Sequence, residues 1–478
     1  MHPAEPRTAT HPGLRALEAQ RILELIALRI TPAAAAGVIA YLHLGKPGFG
    51  LLVGGSMLAA LELVERPSLP LQLMPAARFT LGFCAPLLGA AIALALMLAA
   101  GASIAVKDLE APVIGAWLVT ILGVWVRARF EEGRRARVAV IGSAGFADDL
   151  AGELRASGIR SCDVVGWFGP EDPRLHDRRL DYLGNLGEIR SAVIERRIEL
   201  LVYARDESTG LGDAQAGGDV CAVIADSCLD LAVRTIEANQ FYEELLGHVP
   251  LGTTDAAWFR YIMHPRFRPT SPLWKRCFDV ATVSLMSIFA LPLVGLAAVA
   301  IKLVDGGPVL YRQRRVGERG REFEILKLRT MVLDAEADGP RWCEAGDARI
   351  TPLGRLLRRT HVDELPQLWN VLRGAMTLVG PRPERPELVA ELEQRFSHYT
   401  RRHLVKPGIA GWAQLRCGYA GSDLGTAWKL CHDLFYIKRR SMLADFLIML
   451  ETAFEVGRDA HRALRAPQQR FIVSEFGD

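Results

Sequence analysis

The stretch CFDVATVSLMSIFALPLVGLAAVAIKLV, residues 277 to 304, decides how this chain is organised. It is an apolar run longer than the ~20 residues that a membrane-spanning helix needs. Lys275 and Arg276 precede it directly, and Pro292 lies near its middle. A proline inside a helix removes a backbone donor and bends or breaks the helix. This stretch therefore predicts a membrane helix with a bend at Pro292.

The charges around this stretch predict how the helix lies in the membrane. Spanning helices carry most of their basic residues on the cytoplasmic side. Here basic residues also follow the run, at Lys302 and from Arg312 onward. Each half of the run would be only about 20 Å long, too short for a hydrocarbon core of ~30 Å. We therefore predict a re-entrant helix over residues 276–304, with an ordinary spanning helix as the alternative.

Four further apolar stretches precede this region and predict four transmembrane helices within residues 1–130. They are Ile22–Leu44, Phe49–Val64, Phe79–Ala100 and Pro112–Val126. Basic residues lie before the first stretch and after the fourth, whereas the loops between them contain few. The positive-inside rule then places both ends of this group in the cytoplasm. A bundle of buried helices in a soluble protein is the alternative.

Residues 136–262 predict an α/β unit of Rossmann-like type. Predicted strands at 137–141, 164–168 and 199–204 alternate with predicted helices at 146–157 and 186–197, which is typical of βαβ units. The glycine fingerprint for dinucleotides is incomplete, because Ala144 and Ala147 occupy two of its glycine positions. A bound NAD is therefore not expected, and a sugar-nucleotide oxidoreductase is the weakest alternative for the chain.

The composition agrees with a membrane anchor followed by a domain that handles anions. Half of the residues are hydrophobic and the formal net charge is +3. The mean hydropathy is +0.15, higher than in most soluble enzymes. Arginines are concentrated between Arg266 and Arg416, whereas the first 126 residues contain few charges. This segregation favours an anionic substrate at a membrane, and a nucleic-acid partner is not expected.

Two adjacent carboxylates, Asp363 and Glu364, lie among these arginines. Arginine can engage two phosphate oxygens at once, so the cluster predicts a site for a diphosphate. A carboxylate can act as a nucleophile toward phosphorus, and a second one can bind Mg²⁺ together with substrate phosphates. The alternative is an ordinary helix start, with Asp363 or Thr360 as the N-cap and Pro366 in the first turn.

Six motifs in this region together resemble a known family. They are Lys275–Asp279, Arg312–Gly317, Lys327–Met331, Asp363–Asn370, Val379–Pro383 and Lys406–Trp412. Through them residues 272–460 resemble the catalytic domain of the bacterial sugar transferases, the monotopic phosphoglycosyl transferases that prime exopolysaccharide, capsule and glycoprotein assembly. The preceding spans and the α/β unit resemble the large members. The segment Asp433–Lys438 resembles the exosortase-associated exopolysaccharide branch.

The resemblance implies an α-rich monotopic catalytic domain over residues 272–465 and a tail over 466–478. It implies that Asp363 attacks the sugar-linked phosphorus of a UDP-sugar and releases UMP, and that polyprenyl phosphate then accepts the sugar phosphate. Glu364 would bind Mg²⁺. Phosphate groups would be held by Arg358, Arg382, Arg315, Arg329, Lys327 and Gln313. The lipid-phosphate side would contain Lys275, Arg276 and Asp279, and Pro292 would mark the helix break.

The resemblance also implies a place in the cell and a set of partners. These are the bacterial inner membrane with the catalytic domain on its cytoplasmic face, a homodimer, and downstream glycosyltransferases. Three positions depart from the family pattern: Leu291 replaces a frequent Ser, His361-Val362 replaces Ser-Leu, and Ala375 replaces a frequent Asp. His361 would be a packing residue rather than a general base. Ala375 supports an alternative, a catalytically weak membrane scaffold for polysaccharide assembly.

Overall fold

The structure is a computed structural model of the chain. It describes residues 31–44, 47–64, 85, 87–96, 110–119, 135–159, 161–169, 180–203, 224, 226–228, 230–231, 233–251, 273–335, 347–396, 398–417 and 423–458. These residues form two compact units, the first ending at Phe241 and the second beginning at Tyr242. The predicted tail at 466–478 lies outside the described residues.

The first unit contains helices in all four predicted apolar stretches. They are α1 Thr31–Leu44, α2 Pro47–Val64, α3 Leu87–Leu96 and α4 Glu110–Val119. Small side chains from the four helices form one buried cluster that includes Ala36, Ala93 and Ala116. A Cβ on Gly37 would lie 2.7 Å from the carbonyl oxygen of Gly50, so α1 and α2 approach closely only because both positions are glycine. Small residues at contacts are typical of membrane helices, and the crossing of a membrane stays a prediction.

The first unit also contains a parallel five-stranded sheet of order β3-β2-β1-β4-β5. Its strands are β1 Ala136–Ile141, β2 Cys162–Phe168, β3 Asp181–Tyr182, β4 Leu200–Tyr203 and β5 Arg234–Glu237. The helices between them are α5 Ala144–Ala156 and α6 Ile189–Glu195, and α7 Ala238–Phe241 follows. Three predicted strands and two predicted helices are confirmed within about three residues. The two-residue β3 and the polar β5 lack the apolar run by which the others were found.

The second unit begins with a π-helical turn, Tyr242–Leu246, before the boundary predicted at residue 262. Glu243 forms buried ion pairs with Lys438 and Arg439, and the Trp412 indole donates to the Gly247 carbonyl over 2.6 Å. Its other elements are α8 Leu273–Val304, β6 Leu310–Val316, β7 Glu322–Leu328, α9 Pro352–Arg359, α10 Gln367–Arg373, β8 Thr377–Val379, α11 Pro386–Arg395, β9 Gly408–Ala410, α12 Trp412–Cys417, α13 Asp423–Arg439 and α14 Met442–Arg458.

Helix α8 is the single described helix that is long and apolar enough to cross a membrane. It runs without interruption through Pro292, so the predicted break into two helices is not found, and a bend there stays a prediction. Both ends of α8 pack against other elements of the second unit. Asp279 is buried near one end, and Ile301 packs with Leu328 and Leu357 near the other. Its middle is exposed, with Phe289 at 76%.

Candidate active site

The two carboxylates lie on a 3₁₀ turn, Val362–Glu364, between α9 and α10. His361 has a left-handed backbone with φ 55°, which ends the preceding helix and turns the chain. Its imidazole is exposed, so His361 does not pack in the core, whereas a supporting role next to Asp363 stays a prediction. Pro366 then starts α10. The alternative of Asp363 as an N-cap is also wrong, because Asp363 lies inside the 3₁₀ turn.

Asp363 is a buried carboxylate whose oxygens have no hydrogen-bond or ion-pair partner among the described residues. Its residue is 7% exposed, and no described residue donates a hydrogen bond to its carboxylate. Burial, and secondly the charge of Glu364, raise the pKa of Asp363 to about 6, against the opposing effect of Lys327 and Arg358. The side chain is therefore ionised at neutral pH and more basic than an ordinary carboxylate, as a nucleophile requires.

Glu364 has the opposite environment from its neighbour. One oxygen, Oε1, accepts hydrogen bonds from Lys327 Nζ over 2.7 Å and from an Arg382 Nη atom over 2.8 Å. Burial alone would raise the pKa of Glu364, but the charges of Arg382 and Lys327 hold it well below its ordinary value. The two adjacent carboxylates are thus separated in pKa, a pattern typical of pairs with different chemical roles.

Lys327 reaches Glu364 because α10 is fastened to strand β7. The Asn370 side chain accepts a hydrogen bond from the Leu326 amide over 3.0 Å and donates to the Glu324 carbonyl over 2.6 Å. Asn370 itself is 4% exposed. Asn370, in the middle of α10, therefore holds this helix beside the strand that carries Lys327. Sequence reasoning assigned Asn370 no role, although its motif placed it six residues after Glu364.

Arg382 is positioned by a buried network that the sequence did not predict. Arg402, 4% exposed, donates to the Arg382 carbonyl over 3.1 Å and to Asp433 Oδ2 over 2.7 Å. It also donates to the Tyr399 hydroxyl over 2.6 Å. The Gly380 amide donates a hydrogen bond to the Ala410 carbonyl of β9 over 2.9 Å, which holds this loop in place. The loop that carries Arg382 is therefore fixed before any ligand binds.

The other predicted phosphate-binding residues Arg358, Arg315 and Gln313 differ in what they contact. Arg358 donates to the Thr330 hydroxyl over 2.8 Å, and its charge acts on Asp363. Arg315 supports the Arg382 loop, because it donates to the Pro383 carbonyl over 3.0 Å and to Gln313 Oε1 over 2.6 Å. Arg358 thus remains a candidate ligand of phosphate, whereas Arg315 and Gln313 make contacts that shape the loop.

Arg329 is directed away from the carboxylates. It is 7% exposed, and its guanidinium donates to the carbonyls of Asp305 and Gly306 in the turn after α8. The placement differs from the prediction because β7 ends at Leu328. Arg329 therefore lies beyond the strand, and its amide donates to the Val309 carbonyl over 2.8 Å. We therefore leave Arg329 out of the candidate site.

The three residues predicted on the lipid-phosphate side attach α8 to other elements of the second unit, and a lipid phosphate near them stays a prediction. Lys275 Nζ forms a buried ion pair with Asp445 Oδ2 at 2.5 Å. Arg276 donates to the carbonyls of Val371 and Leu372 at the end of α10. Asp279 accepts from the Thr377 hydroxyl over 2.6 Å. These contacts occupy most of their polar groups, because a buried polar group needs a partner inside the protein.

The Lys275–Asp445 pair gives a direct test of this attachment. Replacing Asp445 by Asn leaves Lys275 charged and buried, so we expect the unfolding free energy to fall by about 3 kcal/mol. Chemical denaturation in a neutral detergent would measure it. Glu391→Gln is the matched control, because its pair with Arg395 is about half exposed and should contribute little. Equal stability of the two variants would contradict a docking role for Lys275.

The carboxylates of this site provide few ligands for a divalent cation. Among the described residues no group of three or more His, Cys, Asp or Glu side chains could hold a metal ion. Glu364 Oε2 nevertheless accepts no hydrogen bond from a described residue. Mg²⁺ is commonly held by one or two carboxylates and by substrate phosphates. The residues therefore fit Mg²⁺ only as a site shared with a phosphate ligand.

The chain is similar to enzymes that act on undecaprenyl phosphate. Residues 270–459 match the family model described as bacterial sugar transferase. An N-acetylgalactosaminephosphotransferase of Aeromonas hydrophila, named for UDP-N-acetylgalactosamine and undecaprenyl phosphate, is 42% identical over 38% of this chain and 44% of its own length. An undecaprenyl-phosphate glucose phosphotransferase of Komagataeibacter xylinus is 34% identical over 66% of this chain and 58% of its own length.

A third relative is matched over nearly its whole length. The UDP-glucose:undecaprenyl-phosphate glucose-1-phosphate transferase of Caulobacter vibrioides is 37% identical over 49% of this chain and 89% of its own length. The chain spans about half of the length of the first two relatives. The matched segment of the family model contains every residue of the Asp363 and Glu364 cluster. The chain belongs to the bacterial sugar transferase family.

Proposed function

We propose that the chain transfers a sugar-1-phosphate from a UDP-sugar to polyprenyl phosphate, with undecaprenyl phosphate as the acceptor. The observation that carries this proposal is the state of Asp363: a buried, unpartnered carboxylate with a raised pKa, next to a carboxylate bound by two cations. The names of the relatives support the general reaction. The first membrane step of exopolysaccharide or glycoconjugate synthesis is the process that needs this product.

In the first half-reaction an Asp363 oxygen attacks the sugar-linked phosphorus of the donor. A bond forms between this oxygen and phosphorus, and the bond from phosphorus to the bridging oxygen breaks, so UMP leaves with that electron pair. The product on the enzyme is a sugar-phosphoryl aspartate. Arg382 and Lys327 lie at Glu364, where their charges can stabilise the phosphate oxygens as negative charge shifts to the leaving group.

In the second half-reaction a phosphate oxygen of the polyprenyl phosphate attacks the same phosphorus. The bond from phosphorus to Asp363 breaks, which restores the carboxylate and gives a polyprenyl diphosphate sugar. Arg358, which acts on Asp363 by its charge, is the candidate to hold phosphate in both steps. No proton needs to be removed from an acceptor that is already an anion, so His361 is not required as a general base.

We include Mg²⁺ in the proposal, with Glu364 Oε2 as the protein ligand. A bound Mg²⁺ would neutralise charge on the diphosphate and improve the leaving group. Asp363 remains free for attack in this arrangement. Lys327 and Arg382 keep Glu364 ionised, because they hold its pKa far below neutral pH.

We further propose that α8 enters the inner membrane from the cytoplasmic face and returns to it. The support is that Asp279 and Ala297, near opposite ends of the helix, are both buried on the second unit while the apolar middle is exposed. A helix that crossed the bilayer would carry one end to the other side of a core about 30 Å thick. The proposal also includes four N-terminal transmembrane spans and a Rossmann-like unit. It further includes a homodimer and downstream glycosyltransferases as partners.

A screen for UMP release tests the proposed function. The purified chain in detergent would be incubated with Mg²⁺, undecaprenyl phosphate and each of UDP-glucose, UDP-galactose and UDP-N-acetylglucosamine. We expect UMP from at least one donor and a lipid-linked sugar in equal amount. A chain that forms no UMP from any donor, yet binds polysaccharide-assembly partners, would support the scaffold alternative instead.

The raised pKa of Asp363 predicts how the first half-reaction depends on pH. Only the ionised carboxylate can attack, so the single-turnover rate of UMP formation should fall as the pH decreases through about 6. An ordinary aspartate would keep its rate down to pH 4. Rapid-quench measurements between pH 4.5 and 8, with saturating donor, would locate this limb. A rate that stays level down to pH 4.5 would contradict the buried, unpartnered environment of Asp363.

A further inference from the structure

Three basic residues lie at the C-terminal end of α10, and no described carboxylate pairs with them. Arg276 Nη2 and Lys406 Nζ lie 3.6 and 3.8 Å from the position that a Cβ on Gly374 would occupy. Arg373 precedes Gly374 and stacks on Trp369, with Cζ 5.1 Å from the ring centroid. No described residue forms an ion pair with any of the three. Arg276 donates to the Val371 and Leu372 carbonyls, but among the described residues no carboxylate neutralises its charge or that of Arg373 and Lys406.

The surroundings of this cluster are those of a membrane surface. Leu273 and Trp274, in the first turn of α8 beside Arg276, are 79% and 48% exposed. Trp369 is 49% exposed. Tryptophan and basic residues together are typical of the interfacial layer of a bilayer, where rings lie at headgroup depth and cations meet lipid phosphates. The anion that this position favours is therefore part of a lipid.

The cluster lies too far from the carboxylates to hold a reacting group. Helix α10 is roughly 10 Å long at 1.5 Å per residue, and the carboxylates precede its first residue whereas Gly374 follows its last. A phosphate bound at Gly374 therefore cannot be attacked by, or attack, a group on Asp363. This separation favours a resident lipid over the acceptor substrate.

We propose that Arg276, Arg373 and Lys406 bind the headgroup phosphate of an anionic bilayer phospholipid. Arg276 Nη2 and Lys406 Nζ would both be in van der Waals contact with a Cβ at position 374, so the two cations lie close to one point beside Gly374. A zwitterionic headgroup adds a positive charge near three others and is disfavoured. The site would fix the depth at which α8 begins in the membrane. This inference rests on the membrane association of α8 and not on the transfer reaction.

Native mass spectrometry of the full chain in a neutral detergent tests the site. Phosphatidylglycerol or phosphatidylcholine would be titrated into wild type, Lys406→Gln, Lys406→Arg and Ala375→Asp. Arg321→Gln is the control, because Arg321 is an exposed basic residue between β6 and β7. We expect wild type to prefer phosphatidylglycerol. Lys406→Gln should weaken that binding about fivefold, the effect of one basic residue near a membrane surface. Lys406→Arg and Arg321→Gln should bind as wild type does.

Ala375→Asp should also weaken binding, because it adds a carboxylate next to Gly374, and raising the salt concentration should do the same. Equal binding of the two phospholipids, or an unchanged Lys406→Gln variant, would overturn the proposal. Displacement of phosphatidylglycerol by an equal concentration of polyprenyl phosphate would assign the site to the acceptor instead. The Asp363→Asn variant should keep the phospholipid preference although it releases no UMP. This result would separate the lipid site from the proposed reaction.

Discussion

Replacing Asp363 by Asn should lower single-turnover UMP release by at least roughly 10³-fold, because an amide cannot form the acyl phosphate. The variant should also fail to exchange labelled UMP into the donor. Donor binding should change little, since Lys327, Arg358 and Arg382 remain. A labelled sugar phosphate trapped on wild type, and absent from the variant after acid quench, would locate the covalent bond. Normal UMP release by Asp363→Asn would remove Asp363 as the nucleophile.

The same substitution should make the protein more stable at neutral pH. The pKa of Asp363 is about 6 in the folded chain, against an ordinary value of 3.8, because burial disfavours its charge. Ionising it at pH 7 therefore costs the folded state up to roughly 3 kcal/mol. The cost begins as the pH rises above about 4 and is complete above about 6. The asparagine variant avoids it, so its advantage in denaturation midpoint should vanish near pH 4.

Replacing Glu364 by Gln should have the opposite effect on stability. Its carboxylate binds Lys327 and Arg382, and the amide leaves Lys327 buried with its charge unpaired. We expect a loss of about 3 kcal/mol at neutral pH. The folded pKa of Glu364 lies below its ordinary value, so this stabilisation is present above the ordinary pKa and is lost at lower pH. The destabilisation of Glu364→Gln should therefore be full at pH 7 and shrink as the pH falls below about 4.5 toward the lower folded pKa. Denaturation at pH 7 and at a series of pH values below 4.5 would measure this decrease.

Activity should fall in Glu364→Gln as well, by about 10²-fold, because the variant loses a metal ligand and misplaces two cations. Raising the Mg²⁺ concentration should recover part of the loss if Glu364 binds the ion. Glu391→Gln, at an exposed ion pair, controls for the loss of one negative charge. A Glu364→Gln variant as stable as wild type would show that the pairs with Lys327 and Arg382 contribute nothing.

The sequence predicted those parts of the fold that follow from local patterns. Apolar runs with a period that matches a helix or a buried strand located α8, the helices α1 to α4, and the strands β1, β2 and β4. The two-residue strand β3 and the polar strand β5 escaped because neither has such a run. The first turn of the second unit escaped for a different reason. It is defined by Glu243, whose partners lie about two hundred residues later in the chain.

The sequence predicted most residues of the candidate site. It did not predict what each of them contacts. Asp363, Glu364, Lys327 and Arg382 do meet, and the motif order indicated this. Lys275, Arg276 and Asp279 were expected at the lipid phosphate because they are charged and lie next to an apolar helix. Their partners, such as Asp445 and Thr377, are distant in sequence. A charge beside a membrane helix can face lipid or protein, and only the tertiary contacts decide between them.

The attachment of α8 at both ends has a consequence for how this chain folds. Lys275 lies in the first turn of α8, and its partner Asp445 follows 170 residues later. The ribosome therefore releases the membrane helix long before the segment that closes its ion pair. Contacts between such distant residues form slowly, because a long loop must close first. We expect α8 to enter the bilayer early and the catalytic unit to assemble around an already inserted helix, so that folding is completed at the membrane.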